Sequence, residues 1–129
     1  MKDRVRSLAA VLALGLVAPV HAWDSCDNKR VIEESLDLSN TQLLQIQAGA
    51  GDLEITGVAG AQSAVVKATV CASKEEYAEE SRLEIETGGT ARIATVMPEI
   101  NGSGWGSNRY LYMDLEITVP ESIALDVRD

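Results

Sequence analysis

The sequence predicts an all-β fold: short strands punctuated by glycine, paired antiparallel or stacked as in a solenoid, with one short polar helix or excursion near residues 73–81. Three observations carry this. Apolar and polar residues alternate in short runs, as in Leu44-x-Ile46 and Leu53-x-Ile55, which is the period of a half-buried strand. Small-residue clusters such as Ala48-Gly49-Ala50-Gly51 separate the runs. The longest alternation, Arg109 to Val119, ends at Pro120. Each run is too short to stand alone, so the runs must pair or stack.

Residues 1–22 read as a targeting segment. Lys2, Arg4 and Arg6 form a basic start, Leu8 to Val20 an apolar centre, and Val20-His21-Ala22 a cleavage site. That is the pattern of a secretory signal peptide. Thirteen apolar residues are too few to span a hydrocarbon core of about 30 Å as a helix. Residues 23–129 then form a single β domain in the periplasm or outside the cell. No integral membrane segment is expected in it.

Trp23 to Lys29 is a polar lead-in holding Cys26. Arg30 to Leu38 alternates Ile32, Leu36 and Leu38, with Glu34 as an imperfection. Ser39-Asn40-Thr41 has turn composition. Gln42 to Gln47 is the second strand. The Ala48–Gly51 turn follows, where glycine allows positive φ or close backbone approach. Asp52 to Thr56 is the third strand. Ala64 to Cys71 is the fourth, with Val66, Ala68 and Val70 on one side and Val65, Thr69 and Cys71 on the other. Apolar residues on both sides predict a central strand or one covered on both faces.

Ala72 to Arg82 breaks the alternation. Ser73 with Glu76 has the spacing of a capping box. Glu75, Glu76, Glu79 and Glu80 lack the Gly-centred loop of a calcium motif and read as a solvated helix face. Leu83 to Thr87 and Ala91 to Met97 are two further strands. In the long strand Leu111, Met113, Leu115, Ile117 and Val119 face one way, and Tyr110, Tyr112, Asp114, Glu116 and Thr118 the other. Ile123, Leu125 and Val127 begin a last strand. A further strand or a partner edge is expected beside it. The chain as the N-terminal part of a longer repeat fold stays open as a reading.

LLQIQAGAGDLEITGVAG, the VVKATV strand, the polar excursion and LYMDLEITVPESIALDV together resemble the bacterial exported adhesin-like domains of unknown function. The resemblance covers most of residues 40–129. It implies an exported, all-β, solenoid-like envelope protein. It lends no catalytic residues, because its motifs are structural.

Charge and chemistry narrow the function classes. The chain carries 11 basic and 20 acidic residues, formally −9. Without Lys2, Arg4, Arg6 and Asp3 it holds 8 basic and 19 acidic residues, or −11. Such a protein repels phosphate backbones, so nucleic acid is not an expected partner. The one histidine, His21, lies in the targeting segment. That removes histidine triads and histidine metal sites from the mature chain. GAGDLEITG opens a strand, so a dinucleotide loop fails on context. No catalytic residue, metal ligand or cofactor is assigned, and the chain is read as a non-enzyme.

Cys26 and Cys71 are the only cysteines. In an oxidising compartment a disulfide is expected, pinning the N-terminal segment onto the fourth strand. Two unpaired cysteines too far apart to meet are the alternative. Trp105 on its Gly-rich loop, with Tyr110 and Tyr112, is the candidate binding surface for an unidentified envelope protein or a glycan. The alternative is that Trp105 folds back over a core that has no Phe. Glu84/Glu86 and Asp114/Glu116 are carboxylate pairs at i and i+2. They support a second reading as a carbohydrate-active or cation-binding protein, but on an acidic protein the alternation of half-buried strands reads them first as a solvent-facing stripe. Self-association through the last strand, and a fragment inactive by itself, are the remaining possibilities.

Overall fold

A computed structural model describes residues 26–100 and 108–129. The expected signal peptide and Trp105 lie outside the described residues. Within them are eight strands and one helix: β1 (Asn28–Asp37), β2 (Leu43–Gln47), β3 (Leu53–Val58), β4 (Ser63–Ala72), α1 (Glu75–Glu80), β5 (Arg82–Glu86), β6 (Thr90–Val96), β7 (Leu111–Pro120) and β8 (Ala124–Arg128). Every strand expected from alternation is present.

The strands form two four-stranded sheets, ordered β1-β4-β7-β3 and β5-β6-β2-β8. Three pairings are antiparallel, namely β1/β4, β4/β7 and β5/β6. Three are parallel, β2/β6, β2/β8 and β3/β7. The sheets are therefore mixed, where an antiparallel or stacked arrangement was expected. Parallel pairs need crossovers, and here the crossovers pass between sheets: β2 leads to β3, and β6 leads to β7.

One apolar layer joins the sheets. The first sheet contributes Leu36, Val66, Val70, Met113, Leu115 and Ile117, and the second Leu44, Ile46 and Ile93. These side chains are fully buried, each stabilising the fold by roughly 1.5–3 kcal/mol relative to exposure. The expected division of β7 holds: Met113, Leu115, Ile117 and Val119 are buried, while Glu116 and Thr118 are exposed.

β4 is central, as its apolar content predicts, and Ala64, Val66, Ala68, Val70 and Ala72 are inaccessible. Its second face is covered only near Cys71. Val65 is 48% exposed, because no described element packs on the outer face at that end. Glu34, the break in the first run, is exposed on an edge strand.

Gly51 shows why the turn before β3 uses glycine. Its φ is 132°, and a Cβ there would overlap the Met113 carbonyl oxygen. Beside it the Met113 N–H donates to Ala50 O at 2.9 Å, and the Leu115 N–H to Asp52 O at 2.8 Å. The close approach lets β3 enter the ladder with β7.

The helix forms within the expected stretch, but its cap differs. Lys74 occupies the N-cap position and makes no side-chain cap bond. Ser73 does not cap the helix. Its hydroxyl accepts from the Tyr110 N–H at 3.0 Å, and its own N–H donates to Tyr110 O at 3.0 Å. The C-terminal end is held by Arg30, whose guanidinium donates to the carbonyls of Ala78 (3.1 Å), Glu79 (3.4 Å) and Ser81 (2.6 Å). The Ala78 carbonyl also accepts from the Ser81 N–H at 3.3 Å, whereas the Glu79 carbonyl is among those a helix end leaves without internal partners.

Candidate functional site

The outer face of the first sheet brings part of the expected site together. β4 and β7 run antiparallel with Cys71 opposite Tyr112. Cys26 is bonded to Cys71 across 45 residues, with a Cα–Cα distance of 5.6 Å. The expected bridge thus ties the N-terminal segment to the end of β4. Cys71 is buried beneath it.

Tyr110 and Tyr112 stand next to this bridge. Tyr112 lies on β7 and Tyr110 directly precedes the strand, and alternation places both on the outer face. Their ring centroids are 6.3 Å apart, with planes inclined at 29°, within the range of an offset stack. The Tyr110 hydroxyl accepts from the Asp27 N–H at 3.0 Å. The Tyr110 backbone is locked to Ser73 on both sides. The disulfide, Asp27, Ser73 and the tyrosine pair form one braced cluster. Both rings are half-buried, so each packs on protein and still presents surface.

Alternation identified the tyrosines and the compartment suggested the bridge, but Ser73 and Asp27 were missed as supports. Ser73 matched a capping pattern, and its partner lies 37 positions away. No local signal marks such a cross-strand contact.

The carboxylate pairs have separate settings. Asp114 is engaged, since its Oδ1 accepts from the Asp52 N–H at 2.8 Å. Glu116 is in register with Glu54 on β3 and with Lys67 on β4. Glu84 lies 3.4 Å from the Arg82 guanidinium. Glu75, Glu76, Glu79 and Glu80 are exposed along α1. Among the described residues, no group of three or more His, Cys, Asp or Glu is placed to hold a metal ion.

A cleft of about 370 Å³ opens at the other end of β7, between Leu38, Thr41, Gln62 and Pro120. It takes in none of the expected site residues. No described helix is long and apolar enough to cross a membrane.

No family model matches the sequence, and no curated protein matches it. Among solved structures, a "putative cell adhesion protein" from Clostridium sporogenes is similar at a TM-score of 0.49 and 15% identity, over 78% of this chain and 46% of that one. The chain thus spans under half the length of that protein.

Proposed function

We propose that the chain is an exported, non-enzymatic, adhesin-like interaction module of the bacterial envelope, with the Tyr110–Tyr112 face as its contact surface. The observation that carries this reading is the stacked tyrosine pair held against the Cys26–Cys71 bridge. Stiff aromatic surface orders little on binding and anchors either a protein partner or a sugar ring. The bridge supports an oxidising compartment, in keeping with the signal-like residues 1–22. The parallel stacking of β6, β2 and β8, alongside that of β7 and β3, supports the solenoid-like part of the expectation.

The test is Tyr112→Ala in the exported chain, measured as retention on isolated cell envelopes. Retention should fall roughly thirtyfold, the effect of losing one aromatic anchor, with the disulfide intact and thermal unfolding little changed. Unchanged retention would remove the surface assignment. Lost retention together with lost folding would mean that the pair only covers the bridge.

A further inference from the structure

The two ends of the core are finished differently. At the end where β1 and β5 are edge strands, α1 packs Ala78 into the core and is held there by Arg30. At the other end the edges are β3 and β8, and nothing among the described residues covers them.

Three features of that end belong together. Among the described residues β3 pairs only with β7, and in a parallel ladder alternate residues bond to the neighbour, so half of its backbone groups point outward. The core-facing residues there are incompletely buried. Leu125 and Val127 are in register with Leu44 and Ile46. Yet they are 39% and 43% exposed, while Leu44 and Ile46 are 0% and 1% exposed. Leu53 and Ile55 on β3 are only half-buried.

The third feature is charge. One row across the outer face of the first sheet reads Glu33, Lys67, Glu116, Glu54, each in register with the next. Signs alternate until the last two, where carboxylates lie side by side. Like charges at neighbouring positions are unfavourable. A cation on a strand beyond β3 would resume the alternation. A second copy pairing through its own β3 would bring Glu54 toward another Glu54, on a chain already at −9.

We propose that β3 accepts a strand from a different polypeptide, one alternating apolar and basic residues. It extends the first sheet, with apolar side chains over Leu53, Ile55, Leu125 and Val127 and a Lys or Arg beside Glu54. Main-chain bonds supply the docking, and the alternating side chains select the partner. This inference does not depend on the tyrosine surface.

The test uses the full chain and a synthetic peptide of about nine residues alternating Val and Lys, a usual strand length. Binding is read by fluorescence anisotropy, and its location by amide hydrogen exchange. The expected result is new protection at residues 53–58, weakening as salt rises. Glu54→Lys should weaken binding about tenfold, the scale of turning one cross-strand attraction into repulsion. A peptide N-methylated along one edge should not bind, because it cannot complete the ladder. The Val/Glu analogue should bind far more weakly. Equal binding of the Lys and Glu peptides, or protection elsewhere than β3, would overturn the proposal. So would self-association of the free chain that protects residues 53–58 and blocks the peptide, since a second copy would then be the occupant.

Discussion

Gly51 lies so close to the Met113 carbonyl that no side chain fits between them. β3 pairs with β7 across some sixty positions of sequence, and the pairing begins at this contact. Gly51→Ala therefore combines backbone strain with steric overlap. A loss of about 2–4 kcal/mol is expected, read as a lower urea midpoint. Gly60→Ala is the comparison. Its φ is also positive, but a Cβ there meets nothing within 4 Å, so its cost should be about 1 kcal/mol.

The Cys26–Cys71 bridge closes a 45-residue separation, worth about 4 kcal/mol in the chain-entropy account. Replacing both cysteines by Ser should lower stability by up to that amount. It should also raise hydrogen exchange at Asp27, whose N–H donates to Tyr110. Unfolding with and without reductant measures the first effect, and exchange mass spectrometry the second.

Arg30 holds three carbonyls at the end of α1. Arg30→Ala should cost about 1–2 kcal/mol and fray α1 before the sheets unfold. Arg30→Lys should recover part of the loss, because all three contacts come from the single nitrogen Nη1 and an ammonium also offers three donors from one point. Circular dichroism and local exchange rates distinguish the variants.

Asp37 gives the fold a modest acid response. The Ser39 backbone N–H, with its hydroxyl, holds the Asp37 carboxyl below the usual carboxylate range. A depressed folded value means that the unfolded chain binds the proton more readily. The stabilisation is present above the unfolded value and is lost as pH falls through the folded one. Asp37→Asn should keep the turn but flatten this part of the stability curve. Urea midpoints from neutral pH to about pH 3 test it.

Much of the fold was legible, and the reason is local. Period-two alternation is written into neighbouring residues, so the strands and the two faces of β7 could be read directly. Sheet membership could not. Leu44 and Leu53 look alike in sequence, yet they lie in different sheets, because alternation marks the faces of a strand and leaves its neighbours open. Val65 resembled a covered residue and is exposed, since that judgement needs to know what packs above it. Ser73 satisfied a helix-capping pattern while its hydroxyl went to Tyr110. At the candidate site, the tyrosines and cysteines were visible as residue types, but the braces that position them belong to the tertiary structure.

The most direct test of the functional account is photocrosslinking from position 112 in the exported full-length chain, followed by mass spectrometry under non-reducing conditions. The same probe at Glu84, on an exposed position of the second sheet, serves as control. The account predicts one dominant envelope protein or glycan adduct from position 112 and none from position 84. Equal capture from both positions, or recovery of the uncrosslinked monomer alone, would contradict it.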